Sequence, residues 1–150
     1  MTSRVVLVSP ATSQSLRQAR FDDGGSLDTD GRACASAVAG SLPPAARVVV
    51  SPGVRCRETA GSLGLEGAEA AELAGLEAGR RRGRNLAEVA VTEPEAVGRW
   101  LTDPSSAPHG GESVRDACAR VGRWLDASPG RPPRSGSCRR SRPTSTRARA

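Results

Sequence analysis

The stretch that decides the fold is Val48–Leu65, which reads VVVSPGVRCRETAGSLGL. Arg47 and the three valines that follow it are interpreted as a short apolar run, which stops at a Ser-Pro pair. A short apolar run closed by a turn signal is typical of a buried strand, and the residues after it have helical spacing. We therefore predict a strand over 47–50 and a helix over 54–63, which together form half of a parallel α/β unit.

Arg55 falls in the first turn of the predicted helix, and Thr59 follows one turn later. Backbone N–H groups at a helix N-terminus attract anions, and a guanidinium group can bind two oxygens of the same anion. The pattern therefore predicts an anion site at Arg55. The alternative interpretation is a helix that carries a solvated arginine.

A second apolar run, Val5–Val8, also ends in a Ser-Pro pair, Ser9-Pro10. We predict that this run is a second buried parallel strand. Ligands in parallel α/β folds bind beyond the carboxyl ends of the strands, so the two Ser-Pro ends form the predicted site. The first of these loops carries no strong acid, base or nucleophile.

The rest of the chain alternates between helical segments and loops, and Gln14–Gly25 and Pro104–Gly111 are predicted loops. Capping residues and proline positions predict four segments that complete the helical layers. The first segment is about 30–42, capped by Asp28 or Thr29, and the second is 86–91, capped by Asn85. The third is opened by 92–95 and runs to about Leu101. The fourth starts at Glu112 or Ser113 and runs to about Leu125, with Val114, Cys118, Val121 and Leu125 on one stripe.

The composition indicates an aliphatic core and a positive charge that is concentrated in one segment. Hydrophobic residues make up 37 % of the chain and aromatic residues 2 %, so the core depends on Val, Leu and Ala and we expect modest stability. All 22 basic residues are arginine, which indicates a GC-rich coding sequence, as in a GC-rich bacterium. Residues 131–150 contain seven of these arginines and no acid, whereas residues 1–130 are nearly neutral. We predict a domain over 1–130 and a disordered tail over 131–150.

The four cysteines are scattered along the chain without a CxxC pair. Scattered cysteines are typical of free thiols in a reducing compartment, and we predict a cytoplasmic protein without a metal or other cofactor. No apolar run reaches the length of a signal peptide or a membrane span, so we expect no membrane association.

Four segments of the chain, taken in order, resemble the histidine phosphatase superfamily in its phosphoglycerate-mutase-like branch. The superfamily carries the pattern Ser-Pro-x-x-Arg-x-x-Gln-Thr-Ala where this chain has SPGVRCRETA over 51–60, with Glu58 in place of Gln. The other three segments are LDTDGRACASAVAGSL (27–42), GRRRGRNLAEV (79–89) and PHGGES (108–113). The resemblance implies a three-layer α/β fold, with a mostly parallel sheet flanked by helices, that is incomplete at its C-terminus.

The chain departs from the family pattern at the positions that carry its chemistry. The family opens with a strand followed by Arg-His-Gly-Glu-Thr, and an Arg-Phe pair follows, which Arg20-Phe21 matches. Pro10 stands where the nucleophilic His would be, and its amide nitrogen has no lone pair for attack on phosphorus. Ser9 replaces an arginine that would hold phosphate, and Gly75 falls at the general acid. A second family His would follow the last helix, where this chain has its arginine-rich tail.

The resemblance also places a family Trp-Glu pair on Arg81-Arg82. The triple Arg80–Arg82 reads as a solvated loop, which would border the pocket of this fold and make it cationic.

From these departures we predict a non-catalytic phosphatase-like protein. In this interpretation Arg55, Arg20 and Ser9 retain binding of phosphate, as a phosphorylated or other anionic small molecule. The first alternative is an active enzyme with a different reaction or nucleophile, either Ser9 or His109, which lies beside two glycines in a predicted exposed loop. The second alternative is binding of nucleic acid or another polyanion by the arginine-rich tail.

The tail begins where the family would enter another core strand, and its Arg, Pro, Ser and Ala content is typical of a frameshifted reading of GC-rich DNA. The sequence therefore predicts a truncated or frameshifted product with an open sheet edge. A second copy of the chain or a partner chain would cover that edge.

Overall fold

The computed structural model describes residues 4–128. Eight regular elements and two 3₁₀ turns, Ala71–Leu73 and Gly79–Arg81, follow one another along this part of the chain. The elements are α1 (Gln14–Arg17), α2 (Thr29–Ala37), β1 (Val49–Val50), α3 (Val54–Ser62), β2 (Ala68–Glu69), α4 (Leu86–Thr92), α5 (Pro94–Thr102) and α6 (Val114–Ala127).

The predicted α/β class is confirmed, with a smaller sheet than we expected. Strands β1 and β2 pair in parallel, with Val49 opposite Ala68 and Val50 opposite Glu69. The connection between the two strands contains α3, as expected for a parallel unit. The sequence predicted β1 and α3, but it made no prediction for β2, which lies in a segment of Gly, Ala and Glu without alternating hydrophobicity.

Helix α2 begins at the predicted cap and ends earlier than predicted. The Asp28 side chain accepts a hydrogen bond from Gly31 N, and the helix ends at Ala37 rather than at Leu42. Gly40 has a φ of 77°, which a continuing helix does not allow. Gly31 packs so closely on the preceding loop that a Cβ there would lie 2.5 Å from the carbonyl oxygen of Thr12.

Helices α4 and α6 begin at caps, whereas α5 begins at Pro94 without a side-chain cap and Thr92 belongs to the end of α4. Asn85 accepts hydrogen bonds from the backbone of α4, Pro94 occupies the first turn of α5, and Ser113 accepts a hydrogen bond from Asp116 N in α6. The apolar stripe of α6 is present, but Cys118 is exposed and Leu125 is 41 % exposed in the described part of the chain.

The prediction of a buried strand over Val5–Val8 is wrong. These four residues have no regular secondary structure and are exposed, Leu7 to 90 %. A parallel strand is buried only when it has ladder partners and helices on both faces. Within residues 4–128 the segment pairs with no strand, so its apolar side chains have nothing to pack against.

The buried hydrophobic core of the described residues is small and aliphatic. Its members are Leu27, Ala35, Val50, Leu63, Ala70 and Val89. Cys34, Cys56 and Cys118 are free thiols. Cys138, the predicted tail and the predicted boundary at 130 lie outside the described residues. Across residues 4–128, none of the helices is both long and apolar enough for a membrane span.

Candidate functional site

The loop after the first apolar run packs against the N-terminal turn of α3. Ala11 N donates a hydrogen bond of 3.0 Å to the Oγ1 of Thr59. The guanidinium group of Arg55 donates to the carbonyl oxygen of Ala11 from Nε at 3.3 Å and from Nη2 at 3.2 Å. Thr59, which is buried, donates in turn to the carbonyl oxygen of Arg55 at 2.7 Å. The structure therefore brings Ala11, which follows the first Ser-Pro pair, against the helix that follows the second.

These contacts fix the role that Arg55 has in the fold. Two of its five N–H groups donate to one backbone carbonyl, so Arg55 holds the loop against α3. The helix cap beside it is Gly53, which has no side chain to satisfy the first-turn N–H groups. A cationic side chain and an uncapped helix start lie side by side, a combination that favours an anion.

Arg20 makes its hydrogen bonds away from Arg55 and from the loop over 9–12. Its Nη1 donates to the carbonyl oxygen of Gly83 at 3.0 Å, and its Nε donates to Gln18 Oε1 at 2.9 Å. The Arg20 backbone also forms an isolated bridge with Asn85. Among residues 4–128 no hydrogen bond joins Arg20 to Arg55 or to the loop over 9–12, so the structure shows no direct link between the two predicted phosphate-binding arginines.

Ser9, Pro10 and Gly75, which the resemblance aligns with functional positions of the family, are exposed or half-buried. Ser9 is exposed and Pro10 is half-buried. Ser9 makes no hydrogen bond to a basic side chain within the described residues. Gly75 is exposed, and a Cβ built at this position would meet nothing within 4 Å.

Asp28 connects the loop over 9–12 to α1 and α2. Its carboxylate accepts hydrogen bonds from Arg17 Nε at 2.6 Å, Thr12 Oγ1 at 3.0 Å and Gly31 N at 2.6 Å. The hydrogen bond from Arg17, followed by that from Gly31 N, lowers the pKa of Asp28 to about 2. The sequence identified Asp28 as a cap but gave no sign of its other two partners.

Glu58 stands where the family has Gln and connects α3 to the start of α2. Its Oε2 accepts from Leu27 N at 2.8 Å and from Arg32 Nη2 at 3.1 Å. The backbone N–H of Leu27 and the neighbouring Ser26 hydroxyl, helped by Arg32, lower the pKa of Glu58. The acid therefore serves as an anchor in the fold.

His109 is buried, so the prediction of an exposed loop at this position is wrong. Its Nε2 lies 3.1 Å from the carbonyl oxygen of Glu77, which can only accept, so Nε2 carries the proton. The loop is buried because Gly79 and Gly111, which have no Cβ, let the backbone of residues 77–79 pack closely against that of residues 109–111. A Cβ at Gly79 would lie 2.3 Å from the carbonyl oxygen of His109, and a Cβ at Gly111 would lie 2.0 Å from the carbonyl oxygen of Glu77.

The three consecutive arginines do not form the predicted solvated loop. Arg80 and Arg82 are exposed, but Arg81 is only 1 % exposed. Arg81 Nη2 lies 3.1 Å from Glu93 Oε2, and Arg80 and Arg84 contact the same carboxylate at 3.0 and 2.9 Å. Burial would raise the pKa of Glu93, but the hydrogen bonds from Arg81 and Arg80 outweigh it and the pKa is lowered.

This cluster was not predicted from the sequence. The available signal was that Glu93 follows the arginine-rich segment over 80–84 and opens an amphipathic helix, where a carboxylate lies within reach of those arginines. Across the described residues, no cluster of His, Cys, Asp or Glu side chains has an arrangement that could hold a metal ion.

Solved structures of known proteins resemble this fold. TTHB049 from Thermus thermophilus is 25 % identical with a TM-score of 0.69, and the match covers 81 % of this chain and 70 % of that one. The mycobacterial glucosyl-3-phosphoglycerate phosphatase Rv2419c is 26 % identical with a TM-score of 0.68, covering 78 % of this chain and 59 % of its own.

A curated relative is similar in sequence as well. The bifunctional protein Rv2228c of Mycobacterium tuberculosis is 39 % identical over 85 residues, or 54 % of this chain. The match spans 23 % of that relative's length. The family model for the histidine phosphatase superfamily (branch 1) matches residues 12–136, which is most of the chain. On this match the chain belongs to the histidine phosphatase superfamily, branch 1.

Proposed function

We propose that this chain is a histidine-phosphatase-like protein that does not catalyse transfer of a phosphoryl group through a phosphohistidine. The proposal rests on Pro10, which the family resemblance aligns with the nucleophilic His. Covalent catalysis needs a lone pair that can attack phosphorus, and the ring nitrogen of proline is an amide without one.

The surroundings of Pro10 support the proposal. A phosphatase also needs a proton donor for the leaving oxygen, and Gly75 offers no side chain where that donor would stand. Ser9 is exposed without a basic partner in the described part of the chain, so nothing there would activate its hydroxyl group.

We further propose that the loop over 9–12 and the start of α3 retain weak binding of a small anion. Arg55 has three N–H groups beyond the two that hold Ala11, and Gly53 leaves the helix start uncapped. Ser9 adds a hydroxyl group at the same loop. Arg20 would contribute with its remaining N–H groups only if the anion extends toward Gly83. One structural relative is named as a phosphatase of glucosyl-3-phosphoglycerate, and a phosphorylated small molecule is the ligand class that we propose here.

The catalytic half of the proposal is tested with p-nitrophenyl phosphate and with acid-quench trapping of a phosphoenzyme. We expect no hydrolysis above the blank and no trapped phosphate. Turnover that disappears in Arg55→Gln would overturn the proposal.

The binding half is tested by titrating inorganic phosphate and following the melting temperature. We expect stabilisation that saturates, and about tenfold weaker binding in Arg55→Gln, because a hydrogen bond to a charged group is lost while the amide can still donate to Ala11 O. The matched control is Arg57→Gln, an exposed position two residues further along α3. Equal loss in both variants would indicate nonspecific charge effects and contradict the assignment to Arg55.

An active enzyme with His109 as its nucleophile is the alternative on the same scaffold. The burial of His109 and its bond to Glu77 O argue against it, because the cavity of about 130 Å³ beside the ring is too small for p-nitrophenyl phosphate. Turnover that is lost in His109→Gln but retained in Arg55→Gln would favour this alternative over our proposal.

A further inference from the structure

A cavity of about 130 Å³ lies among the Gly79–Arg81 turn, α5 and the loop that precedes α6. Phe21, Leu76 and Ala78 supply apolar walls, and the ring of Trp100 supplies another. Arg81 and His109 bring polar nitrogen atoms to the same lining. Neither Pro10 nor Arg55 lines this cavity, so it is separate from the anion site proposed above.

Three buried nitrogen atoms of this lining have no hydrogen-bond partner within the described residues. They are Arg81 Nη1, Trp100 Nε1 and His109 Nδ1. The three side chains contact one another, since the Arg81 Cζ lies 5.8 Å from the centre of the Trp100 ring and the Trp100 and His109 rings are 6.2 Å apart. Arg81 and His109 are 1 % and 2 % exposed, so bulk water does not satisfy their nitrogen atoms.

An unpaired buried polar group is costly, and three together in one cavity need an explanation. Guanidinium and indole nitrogen atoms can only donate, so whatever pairs with Arg81 and Trp100 must supply acceptors. His109 Nδ1 is an acceptor in the neutral ring and a donor in the imidazolium ion, because Nε2 keeps its proton against Glu77 O.

The unpaired donors of Arg81 and Trp100 favour an anion in the cavity, while the charges around it nearly balance. Arg80, Arg81 and Arg84 share the carboxylate of Glu93, and Arg84 also pairs with Glu88. Three guanidinium groups therefore face two carboxylates in this cluster. Asp22 lines the cavity and adds a third carboxylate; it is exposed, and its Oδ1 accepts from Gly24 N at 3.0 Å.

The volume of the cavity and its apolar walls restrict which anions can bind. A cavity of about 150 Å³ can hold a benzene molecule, so this one accommodates about six non-hydrogen atoms. Apolar walls disfavour inorganic phosphate, whose oxygens all need polar partners. A carboxylate with a short hydrocarbon chain meets both requirements, because its oxygens accept from Arg81 and Trp100 while the chain lies against Phe21 and Leu76.

We propose that this cavity is a binding site for a small monocarboxylate of the size of butyrate, held by Arg81 Nη1 and Trp100 Nε1. The site is preformed, since Arg81 is fixed by Glu93 and His109 by Glu77 before any ligand enters. The ligand needs no phosphoryl group, and the inference does not depend on the function proposed above.

The test is a titration of the ¹⁵N-labelled chain with sodium butyrate, followed through the indole N–H signals of its two tryptophans. Trp124→Phe assigns the signals and is the matched control, because Trp124 does not line the cavity. We expect a saturable shift of the Trp100 signal with a dissociation constant on the order of millimolar, which is realistic for a ligand of six atoms.

Two comparisons make the test decisive. Trp100→Phe, which keeps the ring and removes the N–H, should weaken binding about tenfold in calorimetry, whereas Trp124→Phe should leave it unchanged. Butyramide, of the same size but neutral, should also bind about tenfold more weakly than butyrate. The comparison of the two ligands on the unmodified chain decides the matter if Trp100→Phe fails to fold.

Three outcomes would overturn the inference. Equal affinity for butyramide would mean that charge plays no part in recognition. Displacement of butyrate by equimolar phosphate would assign the site to inorganic anions. A Trp100 signal that responds to butyrate no more than to sodium chloride would mean that the cavity holds only water.

Discussion

Glu58 and Arg81 occupy positions where the family pattern has Gln and Trp, and both make ion pairs that anchor the fold. Glu58 holds Arg32 and the backbone of Leu27, while Arg81 is buried against Glu93. A charged side chain can replace a neutral one at a buried position only when a partner arrives with it. For Arg81 that partner lies twelve residues further along the chain.

The pKa of Asp28 predicts a specific loss of stability in acid. Because the folded-state pKa is about 2 and the ordinary value is 3.8, the carboxylate stabilises the fold above pH 3.8, and this stabilisation is lost as the pH falls toward 2. In Asp28→Asn we expect lower stability at pH 6 and a gap from the wild type that narrows through this window. Urea unfolding at a series of pH values measures it. Glu66→Gln, at an exposed position, is the control, and a gap that stays constant down to pH 2 would contradict the prediction.

Removing the charge of Glu93 should destabilise the fold strongly. Glu93→Gln leaves the buried guanidinium group of Arg81 without its counter-ion, and Arg80 and Arg84 lose the same partner. We expect a clearly lower melting temperature by circular dichroism. Glu95→Gln, two residues further along on the exposed side of α5, should change it little. Equal effects in the two variants would show that Arg81 does not depend on Glu93.

At the scale of elements, close backbone contacts hold the Gly79–Arg81 turn against the loop before α6. Gly79 has a φ of 51°, and a Cβ there would lie 2.3 Å from His109 O and 2.7 Å from Gly111 N. The same contact buries His109 and closes one side of the cavity. The identities of Arg81 and His109 matter to the cavity only because this contact brings them together.

Gly79→Ala should therefore disrupt this contact. A side chain at a positive φ is strained, and its Cβ would overlap two backbones, so we expect a loss of about 3 kcal/mol in the free energy of unfolding. The control is Gly98→Ala in α5, where a Cβ meets nothing within 4 Å, and it should raise stability by up to about 1 kcal/mol. Chemical denaturation measures both. A neutral Gly79→Ala would mean that the two loops move apart without cost.

At the scale of the whole molecule, the described part of the chain has a small core and a large exposed apolar surface. Leu7 and Val5 are 90 % and 71 % exposed, and Leu125 of α6 is also exposed. Exposed apolar side chains at this density commonly mark surfaces that another chain covers. The coverage of an open sheet edge by a second copy or a partner chain stays a prediction from the sequence.

Substitutions of an exposed and of a buried apolar residue should have clearly different effects on the free energy of unfolding. Leu7→Ser should change the free energy of unfolding by less than about 0.5 kcal/mol, since an exposed side chain loses no packing. Val89→Ala, at a fully buried core position, should lose about 2 kcal/mol. Urea titration gives both values, and binding of an apolar dye should fall in Leu7→Ser. A large loss in Leu7→Ser would mean that this segment is packed in solution.

The sequence alone determined part of the local structure. Caps at Asp28, Asn85 and Ser113, and the strand–turn–helix signal over 48–65, are interactions between near neighbours, so their patterns can be read directly. That the ring nitrogen of Pro10 cannot attack phosphorus also follows from the sequence alone, because it is an amide nitrogen. Only the tertiary structure decided that Val5–Val8 is exposed and that His109 and Arg81 are buried. Burial depends on which distant segments meet, and a side chain's own type and spacing do not contain that information.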